Sequence, residues 1–110
     1  VACLHDDFIH DINEGKRQSG HESFRKFMAH MNECYLEELK DIFVMVHSSG
    51  ARAAAEFVVH GVYKKTDEGL PVANGQRYVL NAGTFFTLKE GRIMRVTTYY
   101  NLQDWIRQVK

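Results

Sequence analysis

The chain has 110 residues, with 14 Lys and Arg balancing 14 Asp and Glu, so its formal net charge is zero. That length suits one domain with a single core, and 45% hydrophobic with 25% charged residues is the balance of a globular protein. No basic cluster exceeds a pair, as at Lys16-Arg17 and Lys64-Lys65, which argues against a nucleic-acid face, and no apolar run nears the roughly 20 residues that cross a bilayer.

The chain opens Val1-Ala2-Cys3-Leu4 with neither Met nor a secretory leader, so upstream residues are expected to have been removed or to lie beyond this sequence. Phe8 to Asn13 alternates. Phe8, His10 and Ile12 face one way and Ile9, Asp11 and Asn13 the other, which predicts a short strand with a polar pair on one side. Asn13-Glu14-Gly15 supplies turn chemistry. Ser19-Gly20-His21-Glu22 fits a capping box with Ser19 at the N-cap. Phe24, Phe27, Met28, Met31 and Tyr35 then form the apolar face of a helix running to about Glu38, with Arg25, Lys26, Asn32 and Glu33 opposite.

Ile42 to Val46 is apolar at every position and is expected to be a strand covered on both faces. Ser48-Ser49-Gly50 turns the chain into a long strand from Arg52 to Tyr63. Thr66 to Gly75 holds the only proline, Pro71, and reads as a loop at the rim of a pocket. Arg77 to Leu88 and Arg92 to Tyr100 are strands joined by the tight turn Lys89-Glu90-Gly91, and Asn101 caps a final helix carrying Leu102, Trp105, Ile106 and Val109. Trp105 is expected to pack that helix on the sheet. Cys3 and Cys34 show no metal-ligand spacing and read as reduced and buried, as in the cytoplasm. Hairpin-linked strands with one main helix imply an α+β fold, a strongly curved, mostly antiparallel sheet wrapped around that helix.

Several segments recur in a telling order: His5-Asp6-Asp7-Phe8-Ile9-His10-Asp11-Ile12-Asn13, Ser19-Gly20, Gly75-Gln76-Arg77-Tyr78, Phe86-Thr87-Leu88-Lys89-Glu90-Gly91-Arg92-Ile93 and Tyr99-Tyr100-Asn101-Leu102. Through them the chain resembles the nuclear transport factor 2-like superfamily, which includes ketosteroid isomerases, SnoaL-type polyketide cyclases and limonene epoxide hydrolases. The resemblance implies a cone-shaped, cystatin-like α+β barrel formed by one domain over residues 1–110. It also implies a deep pocket for a small apolar organic molecule and pairing as a homodimer through the outer sheet face. Family members begin with a helical hairpin. This chain lacks it, apart from a last turn at Val1 to Leu4, so the domain is expected to be truncated at its N-terminus.

Asp11 matches the position from which ketosteroid isomerase-like proteins present a general-base carboxylate. Facing an apolar cavity, its pKa would rise toward neutrality; the competing role is a hydrogen bond to the turn at Asn13 to Gly15. Asn13, on the same side, matches a water-positioning Asn of epoxide hydrolase-like members, with an Asx turn as the alternative. Glu56 and His60 lie on one side of their strand with Val58 between them, about 13 Å apart. The reading preferred is that all three face the pocket, since an uncompensated buried charge is costly. The alternative puts them outside, with Phe57, Val59 and Tyr63 inside. Tyr78, Leu80, Thr84 and Phe86, with Val96, Thr98 and Tyr100 on the next strand, read as pocket lining or as core.

Epoxide hydrolase-like members use an Asp-Arg-Asp constellation. Here Thr98 stands where the C-terminal-strand Asp belongs, and Glu56 and Val58 where Arg and Asp belong, which argues against that reaction. The oxyanion-stabilising Tyr of ketosteroid isomerases sits on the absent N-terminal helix. No metal-ligand spacing, phosphate-binding Gly loop or nucleophile–base motif occurs, so a site with no cofactor and no metal is expected. The leading expectation is acid–base chemistry of isomerase or cyclase type on an apolar carbonyl compound. Asp11 would be the base, assisted by His60, Glu56, Asn13 or Tyr100. The alternative is a non-catalytic ligand-binding or dimerisation module of the same fold.

Overall fold

Short turns set the order of the sheet. In the computed structural model, which describes residues 3–110, β1 (Leu4–Ile12) and β2 (Lys16–Ser19) form a hairpin. Its three-residue connection, Asn13 to Gly15, closes with Gly15 N–H donating to Ile12 O at 3.1 Å, and Glu14 (φ 72°) and Gly15 (φ 92°) both take positive φ there. Then follow α1 (His21–Cys34), β3 (Tyr35–Val46), β4 (Arg52–Tyr63), β5 (Arg77–Lys89), β6 (Arg92–Tyr100) and α2 (Leu102–Val109). The strands make one sheet in the order β2-β1-β6-β5-β4-β3, antiparallel throughout except for the parallel pair β1–β6. This is the expected α+β cone, with a curved and unclosed sheet whose edges are β2 and β3.

Several boundaries differ from the expectation. Ser19 does not cap α1, because it is drawn into β2 opposite Ile9, while Gly20 N–H donates to Phe8 O at 2.8 Å. The N-cap is therefore Gly20, at φ 86° and with no side-chain cap bond. The helix stops at Cys34 rather than near Glu38. From Tyr35 the chain is extended, and it pairs with β4 from Tyr35 opposite Tyr63 to Val46 opposite Ala53. A ladder of that length overrides the helical period of Tyr35, Glu38 and Leu39. The turn expected over Val1 to Leu4 lies partly outside the described residues, and Leu4 already belongs to β1.

The apolar run Ile42 to Val46 is not covered on both faces: its five side chains are 53 to 67% exposed. It occupies edge strand β3 beyond a register shift between Lys40 and Phe43, where Asp41 takes φ 53°. Cys34 is buried as expected, but Cys3 is exposed, lying in a turn just ahead of β1.

Two packed regions brace the concave face. At one end Phe8 and His10 of β1 meet Phe24 and Phe27 of α1. At the other, α2 closes over Val59, Tyr63, Tyr78, Leu80 and Ala82 through Trp105 and Val109. Asn101 caps α2 by accepting from Asp104 N–H. Gln108 then ties the helix to β5 by bonding both the N–H and the carbonyl of Val79 at 2.8 Å. Among the described residues, no helix is long and apolar enough to cross a membrane.

Candidate functional site

Between these regions the concave face encloses a cavity of about 470 Å³. Its walls are largely apolar, with Phe27, Met28 and Met31 from α1, Leu39 from β3, Phe57 and Val59 from β4, and Leu80 and Ala82 from β5. Polar groups enter at three places: His10 and Asn13 with Thr98 and Tyr100 on one side, His30, Asp67 and Tyr35 at the rim, and Glu37 from β3.

His10 is 5% exposed. Its ring lies edge-on to Phe24 and Phe27, at centroid distances of 5.3 and 4.7 Å, and stacks at 6.4 Å on Phe8. The Nδ1 atom is buried without a hydrogen-bond partner. Burial holds the imidazole pKa below its ordinary 6.5, a shift that neighbouring Asp11 partly opposes. Asn13 Oδ1 accepts from Tyr100 N–H at 3.1 Å, which fixes the amide orientation, and its Nδ2 is likewise buried and unpartnered. Two residues on β1 and its turn that line one cavity thus each hold a buried polar atom without a partner.

At the rim, His30 Nε2 donates to Asp67 Oδ1 at 2.8 Å, and Tyr35 Oη donates to Asp67 Oδ2 at 2.7 Å. Cys34 Sγ lies 3.9 Å from the same His30 nitrogen. His30, Cys34 and Asp67 bring their donor atoms within 4.8 Å of one another, the His/Cys/Asp grouping among the described residues that could hold a metal ion. Burial pushes the Tyr35 hydroxyl well above its ordinary value and raises the Cys34 thiol. Tyr78, buried beside Trp105, donates to the exposed Glu37 of β3 at 2.5 Å across Gly61, and burial followed by that carboxylate raises its pKa.

The residues singled out from the sequence separate by strand parity. Asn13, Leu80, Thr98 and Tyr100 line the cavity. Tyr78 and Thr84 share their face but are buried in packing: Tyr78 against Trp105, Thr84 hydrogen-bonded to Thr98 at 3.1 Å. Phe86 and Val96 pair across the sheet beyond the cavity. Trp105 packs α2 as expected and also borders the cavity.

Asp11, Glu56, Val58 and His60 do not converge on this space, which corrects the preferred reading of each. Phe57 and Val59 face inward, so the residues between and flanking them face the convex side. Asp11 is turned away from His10 and Ile12 by the same alternation. Arg17, Arg95 and Thr97 surround its carboxylate, and they hold its pKa below the ordinary 3.8 rather than raising it, the Arg17 hydrogen bond being the largest cause.

Sequence reasoning missed His10, His30, Tyr35 and Asp67. For His10 the signal was present: it alternates with Phe8 and Ile12, the apolar side of its strand. His30 and Cys34 stand one helical turn apart, a spacing that places both on one face, but nothing local brings Asp67 to them.

The SnoaL-like domain model matches residues 1–96. A candidate polyketide cyclase of Pseudomonas putida, with a crystal structure, is 60% identical with TM-score 0.97 over 99% of this chain and 82% of its own. A second candidate polyketide cyclase, from Xanthomonas campestris, is 54% identical with TM-score 0.95 over 99% and 81%. A nuclear transport factor 2-like protein of Burkholderia xenovorans, 13% identical, shares the fold at TM-score 0.80 over 99% and 79%. No curated protein matches. The matched span, with the cone fold, shows that the chain belongs to the SnoaL-like domain family of the nuclear transport factor 2-like superfamily.

Proposed function

We propose that the chain binds a small, mostly apolar carbonyl compound in the concave cavity and moves a proton on it without a cofactor, in isomerase- or cyclase-type chemistry. The observation that carries this reading is that His10 and Asn13, each with a buried side-chain nitrogen lacking a hydrogen-bond partner, both line an apolar cavity. Each unpaired buried group costs about 1–3 kcal/mol, so both call for polar atoms on an occupant. Asn13 Nδ2 only donates, which suits a carbonyl oxygen and, better, the enolate oxygen formed from it. His10, neutral at pH 7 because burial depresses its pKa, is free to accept a proton.

In this reading a His10 nitrogen takes the proton from the carbon next to the carbonyl. The C–H electron pair moves into the enolate, whose oxygen Asn13 holds. Isomerisation returns that proton to another carbon. Cyclisation instead lets the enolate carbon attack a second carbonyl, with the proton passing to the alkoxide. The Pseudomonas putida relative, itself a candidate polyketide cyclase, supports the second form.

Deuterium exchange tests it. The protein is mixed in D2O with a panel of diketone, polyketide-like and steroid-like carbonyl compounds, and exchange next to the carbonyl is followed by NMR. Catalysed exchange that falls by about 10²–10⁴-fold in His10→Phe is the expected result. Exchange that His10→Phe leaves unchanged would remove His10 as the base. Binding with no exchange would leave the non-catalytic module.

The homodimer belongs to the same proposal. The uncovered apolar side chains of β3, from Leu36 to Val46, support a second copy against this part of the sheet. Sedimentation as a dimer that Phe43→Lys dissociates is expected; a wild-type monomer at micromolar concentration would refute it.

A further inference from the structure

We propose that His30, Cys34 and Asp67 form a binding site for a divalent transition metal of zinc type, which pins the loop after β4 to the end of α1. The proposal stands apart from the cavity chemistry, using neither His10 nor Asn13.

The donors converge rather than line up. A thiol–imidazole–carboxylate relay would engage both ring nitrogens of the histidine, the acid on one and the thiol on the other. Here Asp67 Oδ1, at 2.8 Å, and Cys34 Sγ, at 3.9 Å, both approach Nε2 of His30. All three donor atoms lie within 4.8 Å of one another, so metal–ligand bonds of about 2.0–2.3 Å would need only small side-chain shifts. Imidazole, thiolate and carboxylate together are donors that zinc accepts and that magnesium and calcium do not share. Their charges, neutral, −1 and −1, balance a dication.

The surroundings hold two of the donors in place. Tyr35 Oη donates to Asp67 Oδ2 at 2.7 Å, leaving Oδ1 for the shared point. Asp67 N–H donates to Tyr63 Oη at 2.9 Å. Lys64 and Lys65 N–H both donate to Cys34 O, at 2.8 and 3.3 Å. Such outer contacts are what orient metal ligands. Cys34 is 1% exposed, whereas His30 and Asp67 are partly exposed and give the ion a way in. Three protein donors leave one position for water.

The test is cobalt titration of the metal-free full chain in a Cys3→Ser background, which removes the exposed thiol. One equivalent of Co²⁺ is expected to give a thiolate charge-transfer band and the visible bands of tetrahedral cobalt, both displaced by Zn²⁺. Cys34→Ala and Asp67→Asn, with folding checked by circular dichroism, should each weaken zinc binding at least about a hundredfold. Tyr35→Phe, which keeps all three donors, should weaken it about ten- to a hundredfold. An octahedral spectrum with no thiolate band overturns the proposal, as does zinc affinity that Cys34→Ala leaves unchanged.

Discussion

Arg17 holds Asp11 side-on, with Nε 2.6 Å from Oδ1 and Nη2 3.1 Å from Oδ2. The pair ties β2 to β1 on the convex side, and Thr97 adds a bond from β6 at 3.2 Å. Because the folded-state pKa of Asp11 is depressed below 3.8, its stabilising effect is present above the unfolded value and is lost as pH falls through the folded one. Asp11→Asn is therefore expected to lower the melting temperature at neutral pH, with the gap from wild type closing in strong acid. Carbonyl exchange should be unchanged in this variant. A collapse of exchange with folding intact would return Asp11 to the role of base.

His10 acts in the same direction in a higher pH window. Burial lowers its folded-state pKa, so the unfolded chain takes up the proton first as pH falls below about 6.5. Wild-type stability should decline from there down to the depressed folded value. His10→Phe, set among Phe8, Phe24 and Phe27, should lack that decline and match or exceed wild-type stability at pH 7. Melting temperatures from pH 7.5 to 5 decide it.

Gly61 is required by contact rather than by backbone angle. A Cβ there would collide with Cζ and Oη of Tyr78, whose ring crosses this point to reach Glu37. Gly61→Ala is expected to cost about 1–3 kcal/mol in chemical denaturation. The losses from Gly61→Ala and Tyr78→Ala should not add, since the second removes the atoms that the first strikes.

Trp105, the sole tryptophan, both closes the core and borders the cavity. Occupation of the cavity should shift its fluorescence, while His10→Phe alone should leave the apo spectrum in place. Trp105→Ala should destabilise by about 3–5 kcal/mol.

Local chemistry made much of the fold legible. Ser48 to Gly50, Lys89 to Gly91 and Asn101 each encode a boundary within a few residues, and β4, β5, β6 and α2 follow from them. The start of β3 was not legible, because Tyr35, Glu38 and Leu39 fit a helix while Tyr35, Glu37 and Leu39 fit a strand. Pairing with Tyr63, far along the chain, decided it. Parity on β1 and β4 failed for a related reason. Period-2 patterning sorts Glu56, Val58 and His60 from Phe57 and Val59, but only the curvature of the finished sheet says which set lies inside. Asp67 reaches His30 from 37 positions away, so no spacing rule could join them.

The parallel pairing of β1 with β6 has a kinetic consequence. Thr97 meets Asp11 across 86 positions, and Tyr100 meets Asn13 across 87, so the wall carrying His10 and Asn13 is the costliest loop for the chain to close. Hairpins from β3 through β6 can form locally before it, with the cavity open along one side. Any molecule that fills the cavity then binds the native state and not its precursors. Its affinity appears as slower global unfolding and a higher melting temperature, so a ligand can be recognised before its chemistry is known.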